Sequence, residues 1–187
     1  LTRFGDHGFA KTLLCENGTT VGDFPDYGTG KTDFFSFDLP ALADSGDLFV
    51  EPIRAISPLY IFGAGHISQH LSRMAKAVGF YVTVIDDRRE FANTERFSDT
   101  DSIIVGEFAD TFCALEFTGH EYVVICTRSH EYDALVLENA LKKETKYIGM
   151  IGSARKVRII MDRMHAKGYD QRITAGVRAP IGIPINA

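Results

Sequence analysis

The run Phe62-Gly63-Ala64-Gly65-His66-Ile67-Ser68 has the residue types needed to hold a phosphate. It fits the pattern G-x-G-x-x-small. The first glycine permits a tight turn, and the second lets a diphosphate approach the backbone. A small third residue lets a helix pack closely on a strand. Gly63, Ala64, Gly65, His66, Ile67 and Ser68 are therefore a candidate anion cradle, because free N–H groups and the dipole at a helix start favour negative charge. Asp86 follows about 20 residues on, where a carboxylate of this fingerprint accepts ribose hydroxyls. Asp87 and Arg88 extend that position. A carboxylate there favours NAD over NADP, although Arg88 or Arg89 could swing toward a 2′-phosphate and neutralise the repulsion.

A second group of polar residues clusters at Thr127-Arg128-Ser129-His130 and at Gly152-Ser153-Ala154-Arg155-Lys156. Each stretch follows an apolar run, so both belong at the carboxyl ends of strands, where open α/β sheets bind ligands. Thr127, His130, Gly152, Ser153, Arg155 and Lys156 are the candidates from this group. Arg155, Lys156 and Arg158 fall in the first turns of a helix, where the dipole opposes cations by roughly 0.3–1 kcal/mol each. A bound anion or an acidic partner would account for them, and solvated side chains are the plain alternative. His66 and His70 lie four apart, a spacing compatible with a metal, but the acid and third ligand of a zinc helix are missing. A ligand-facing His66 is the better expectation, and no metal is assigned. The sequence holds no Gly-x-Ser-x-Gly elbow, no phosphate-loop lysine and no evident acid/base pair for hydride transfer.

These residues need strands and helices in alternation to bring them together. From Leu59 onward the sequence supplies them. Leu59–Phe62, Phe80–Ile85, Ser102–Val105, Tyr122–Cys126 and Lys146–Ile151 are apolar strand candidates. Helical spacing links Ile67, Leu71, Met74, Ala75 and Val78, with Gly79 as a stop. Further helices are expected around Asp110–Phe117, over Glu131–Lys143 and from Ser153 to Gly168. Continuous apolar strands alternating with amphipathic helices imply a doubly wound, mainly parallel Rossmann-like α/β sheet over residues 58–187.

Residues 1–57 have a different texture. Strands flank Glu16-Asn17-Gly18, and Asn-Gly is a strong hairpin signal. Thr32–Leu39 and Asp47–Ile53 read as two more strands around a turn at Asp44-Ser45-Gly46. This is a small β-rich segment, expected to be the end of an N-terminal domain plus linker. The chain opens at Leu1 with neither an initiator Met nor a signal-peptide pattern, which leads us to expect a piece of a longer protein.

Composition narrows the classes of function. Hydrophobic residues at 45% and a net charge of -5 describe a globular protein without the basic excess of nucleic-acid or membrane-surface binders. Neither is expected as a partner. Cys15, Cys113 and Cys126 are odd in number and widely spaced, consistent with reduced thiols and a cytoplasmic setting.

Four ordered segments together carry a more specific signal. Tyr60-Ile61-Phe62-Gly63-Ala64-Gly65-His66, Val84-Ile85-Asp86-Asp87-Arg88, Tyr147 through Lys156, and Ala179-Pro180-Ile181-Gly182 resemble the C-terminal domain of the XdhC/CoxI family, the xanthine dehydrogenase accessory proteins. The resemblance runs from about Phe49 to Ala187. It implies a Rossmann-like domain in a non-catalytic protein that binds molybdenum cofactor, helps protect or sulfurate it, and inserts it into a xanthine dehydrogenase-like apoenzyme. A cysteine desulfurase and a homo-oligomeric assembly are further partners it suggests. Two departures stand out. The family's glycine-rich cysteine motif is not visible near Gly22-Asp23-Phe24, and the sequence stops at Pro184-Ile185-Asn186-Ala187 before an expected final helix. Two rival readings remain open: an NAD(H)-dependent oxidoreductase, and a regulatory or oligomerisation module without a ligand.

Overall fold

The strand Pro58–Phe62 shows why a sheet covered on both faces forms here. Leu59 and Ile61 point into one apolar layer while Phe62 points into the other, and all three are buried. A computed structural model gives the fold, describing residues 1–5, 8–15, 19–23, 34–36, 39–43, 45–53 and 56–183. The chain divides into two compact units, Leu1–Ala55 and Ile56–Ala187.

The first unit is a five-stranded antiparallel sheet. Its strands are β1 (Thr2–Gly5), β2 (Gly8–Leu14), β3 (Thr20–Gly22), β4 (Ala41–Leu42) and β5 (Leu48–Val50), in the order β3-β2-β1-β5-β4. Leu13 pairs with Val21 and Leu14 with Thr20, so the strands flanking the expected hairpin do pair. The turn residues 16–18 themselves lie outside the described residues, as do Asp44 and the C-terminal 184–187. The expected strand Thr32–Leu39 is corrected over its described part: Phe34–Ser36 is a 3-10 turn. Adjacent phenylalanines do not alternate between faces as a half-buried strand requires. Phe34 instead packs against the small core of Ala43, Leu48 and Val50.

The second unit is built on six parallel strands. They are β6 (Pro58–Phe62), β7 (Tyr81–Asp86), β8 (Ser102–Val105), β9 (Tyr122–Ile125), β10 (Tyr147–Met150) and β11 (Val177–Arg178), ordered β11-β10-β9-β6-β7-β8. Counted from β6, this is the Rossmann order 3-2-1-4-5-6, and the reversal point lies between β6 and β9. The helices are α1 (His66–Ala77), α2 (Phe108–Ala114), α3 (His130–Ala140), α4 (Ala154–Ala166) and α5 (Gln171–Thr174). One face of the sheet carries Phe62, Ile85, Ile125 and Met150 against Phe108, Phe112, Leu137 and Ile160. The other carries Ile61, Val84 and Val124 against Ala75, Ala92 and Phe97. Among the described residues no helix is long and apolar enough to cross a membrane.

The inward face of α1 differs from the expected apolar side. Ser68, Ser72 and Ala75 are its buried residues, whereas Ile67, Met74 and Val78 are 54%, 62% and 74% exposed. Small residues let α1 lie close on the sheet beside the glycine loop. Of the expected apolar set, Ala75 is buried and Leu71 packs partly buried against the core, while Ile67, Met74 and Val78 are turned out. Hydrophobic spacing alone cannot tell which side of a helix meets the sheet when the true interface is made of small residues. Strand β11 was also unforeseen, because two residues carry no periodic signal.

Candidate functional site

Strand β6 runs out at Phe62 and the chain turns at Gly63. Its φ is +108°, a backbone region that favours glycine. A Cβ there would also stand 2.3 Å from the Cys126 carbonyl oxygen, so the loop can pass β9 only without a side chain. The turn is pinned from both sides: Gly63 N–H donates to the Ile85 carbonyl at 2.7 Å, and Cys126 N–H to that of Phe62 at 2.9 Å.

Gly65 is different. Its φ of −75° suits any residue, and a Cβ added to it would meet nothing within 4 Å. The protein's own packing does not require glycine at this position. It is also the N-cap of α1, and no side chain caps that helix. By contrast, Ser129 caps α3 by accepting from Tyr132 N–H at 3.2 Å, and Ser153 caps α4 by accepting from Lys156 N–H at 3.3 Å. His66 and Ile67 lie exposed in the first turn of α1, leaving an open, uncapped helix start at the reversal point of the sheet.

Several expected ligand contacts turn out to hold the site together. Ser68 is fully buried; its hydroxyl donates to the Gly63 carbonyl at 2.5 Å and lies 3.1 Å from Cys126 Sγ. Burial pushes the Cys126 thiol up to about 11. Asp86 is 1% exposed and accepts from Ala64 N–H at 2.8 Å, Arg88 N–H at 3.0 Å, Arg88 Nε at 2.9 Å and Arg88 Nη2 at 3.1 Å. A ribose hydroxyl would have to displace one of these donors. Arg88 in turn stacks 3.7 Å from the Phe91 ring centre, and Arg96 Nη2 donates to the Ala64 carbonyl at 3.3 Å. The segment after β7 thus braces the glycine loop from outside.

Lys156 is likewise turned inward. It forms an ion pair with Asp133, which is fully buried in the first turn of α3. Asp133 also accepts from Thr127 N–H at 3.1 Å and from its hydroxyl at 2.7 Å. A Cβ at Gly152 would lie 2.8 Å from Lys156 Cδ, so that glycine makes room for the lysine stem. Thr127, Gly152 and Lys156 are therefore brought together around Asp133, while Arg155 and His130 stay exposed.

Across the mouth, Arg128 after β9 grips Asp87 after β7. Its Nη2 donates to Asp87 Oδ2 at 2.7 Å and its Nη1 to Oδ1. Arg128 also stacks on Tyr132, 4.5 Å from the ring centre, and donates to its hydroxyl at 3.1 Å. The guanidinium holds the Asp87 carboxyl down at about 2. Arg96, Arg128, Tyr132 and Asp133 were absent from the expected site. An acid at the start of a helix whose inner face is otherwise apolar was the available signal for Asp133. Arg96 and Arg128 are identified by partners far away in sequence, Ala64 and Asp87, and Tyr132 by its contact with Arg128. Among the described residues no three His, Cys, Asp or Glu side chains gather to hold a metal. A cavity of about 540 Å3 lies at the opposite, amino ends of β9 to β11, lined by Gly119, Lys146, Tyr147 and Val177, among others. It does not include the glycine loop.

Comparison with known proteins agrees with this fold. The family model for the XdhC Rossmann domain matches residues 59–187. An uncharacterized protein, YqeB, of Escherichia coli is 28% identical over 130 residues, 69% of this chain and 24% of its own. A probable xanthine dehydrogenase subunit of Bacillus subtilis is 24% identical over 177 residues, 94% of this chain and 51% of its own. The chain thus spans about half the length of the second relative and less of the first. A crystal structure of a xanthine dehydrogenase from Bacillus halodurans superposes with a TM-score of 0.75 at 24% identity, over 100% of this chain and 55% of the other. With the family model covering the whole sheet and both strand-end clusters, the chain belongs to the XdhC Rossmann domain family.

Proposed function

We propose that this chain is the ligand-holding part of an accessory protein for a xanthine dehydrogenase-like molybdenum hydroxylase. In this reading it binds molybdenum cofactor and passes it to the apoenzyme without turning over a substrate. Gly65 carries the reading: the fold does not need glycine there, and a phosphate lying on the start of α1 does. The relative named as a probable xanthine dehydrogenase subunit supports the client assignment. Bound there, the cofactor would supply the molybdenum centre that the client uses for hydroxylation.

The chain's own residues would then divide the work. Gly65 and the first-turn N–H groups of α1 receive the phosphate, and His66 faces the ligand. Asp86, Arg88, Arg96 and Ser68 hold the loop in shape. Arg155 and His130, both exposed, remain for an acidic partner surface or the ligand's outer edge. Sulfuration would enlist a cysteine desulfurase as a further partner, and the assembly would be homo-oligomeric.

The Rossmann strand order favours one rival, an NAD(H)-dependent oxidoreductase. One experiment separates the two. Protein purified from a molybdenum-replete host is expected to carry the cofactor and to restore activity to a cofactor-free hydroxylase. NADH turnover of roughly 1 per second or more, surviving stringent purification, would overturn the carrier reading.

A further inference from the structure

We infer that Arg128, backed by Tyr132, is a second anion subsite of the crevice, and that Asp87 occupies it as an internal placeholder until a ligand phosphate takes its place. The inference rests on the ligand-binding reading of the glycine loop and adds a requirement to it. The ligand must carry a second anionic group, beyond the one on α1.

The geometry around the mouth distinguishes Arg128 from its neighbours. Arg88 closes on a carboxylate that is 1% exposed and also ties down Ala64, so moving it would strip a buried charge. Lys156 closes on fully buried Asp133 in the same way. Arg96 is spent on the carbonyls of Phe91 and Ala64. Arg128 instead meets Asp87 nearer the surface: the two side chains are 36% and 10% exposed, against 26% and 2% for Arg88 and Asp86. Asp87 also keeps Arg88 Nε 3.8 Å away as a second partner. Asp87 is the least enclosed of the three carboxylates and Arg88 stays beside it when the pair opens, so exchange costs less there than at the other pairs.

Arg128 is also held in place independently of Asp87. Its guanidinium stacks on Tyr132 and donates to the phenol oxygen. A planar fork fixed on an aromatic ring loses little freedom on binding, and it matches phosphate as well as carboxylate, two parallel N–H donors to two oxygens. Arg128 Nη1 lies 4.0 Å from Asp86 Oδ1, and Asp86 accepts from Ala64 N–H of the glycine loop, so an anion on the Arg128 fork lies in the same crevice as one on α1.

The test compares two probes that differ by one phosphate, adenosine 2′,5′-bisphosphate and adenosine 5′-monophosphate, titrated calorimetrically at low salt. Wild type is expected to prefer the bisphosphate by about tenfold, the scale of one charge-assisted contact. Arg128→Gln is expected to bring that ratio to about one, and Arg128→Lys to an intermediate value. Asp87→Asn, which leaves the fork without its placeholder, is expected to tighten the bisphosphate further. Equal affinities in wild type, including no measurable binding of either, overturn the subsite, as does a preference that survives Arg128→Gln. Gly65→Val separates the two readings. If it abolishes binding of both probes while the Arg128 variants leave the ratio unmoved, the glycine loop stands and the subsite falls. If the ratio persists in Gly65→Val and collapses with Arg128→Gln, the subsite stands without the loop.

Discussion

A Cβ on Gly63 would lie 2.3 Å from the carbonyl oxygen of Cys126, whereas a Cβ on Gly65, two residues on, would meet nothing within 4 Å. The two glycines of one motif thus answer to different demands. Gly63→Ala is expected to destabilise the fold by about 3 kcal/mol, combining backbone strain with a clash against main chain that cannot retreat. Gly65→Val should leave the denaturation midpoint nearly unmoved and remove ligand binding. Urea unfolding of both variants checks this, and equal losses of stability would contradict it.

Asp133 and Lys156 form an ion pair whose acid is fully buried. Lys156→Met alone strands a buried carboxylate and is expected to cost about 3–5 kcal/mol. Combining it with Asp133→Asn should recover a large part of that loss, since the amide keeps the bonds from Thr127 without the charge. A double mutant no more stable than Lys156→Met would show that the pair is not coupled.

Thiol reactivity should divide the cysteines. Burial pushes Cys126 up to about 11, so at pH 8 it is almost wholly protonated as well as sealed under the glycine loop. Cys113 is exposed. A colorimetric disulfide reagent is expected to label Cys113 in the native protein and Cys126 only after denaturation. Mass-spectrometric mapping of the labelled sites reads the result.

The Asp87 carboxyl sits at about 2, below its ordinary 3.8, chiefly because Arg128 donates to it. A depressed acid stabilises the fold fully above the unfolded value and loses that contribution as pH falls through the folded one. The bridge is therefore intact at neutral pH and fades between about 4 and 2. Asp87→Asn should flatten that part of the stability profile and leave the slope between pH 6 and 8 unchanged. Thermal unfolding across the acid range measures it.

Met74 is large, apolar and 62% exposed on α1. Met74→Glu should change stability by less than about 0.5 kcal/mol, as surface substitutions do. An inward-facing residue would cost several times more, so the melting temperature tells the two orientations apart.

The order of strands and helices in the second unit was legible because it is written in local patterns. Apolar runs of strand length, helical spacing and the Gly63 turn each involve residues a few positions apart. The five expected strands came out within a residue of their expected bounds for the same reason: β7 is Tyr81–Asp86 where Phe80–Ile85 was expected. Only the tertiary structure decided what the charged residues do. Asp86 read as a ribose acceptor, yet its oxygens are taken by Arg88 and Ala64; Lys156 read as an anion-steering lysine, yet it is folded onto Asp133. Arg128 and Asp87 are 41 residues apart and meet because β7 and β9 flank β6 and their carboxyl ends open on the same crevice. A sequence displays every donor and acceptor but not their pairing. Pairing is set by which strand ends converge and how much water they exclude, and that follows from the packing of the whole sheet.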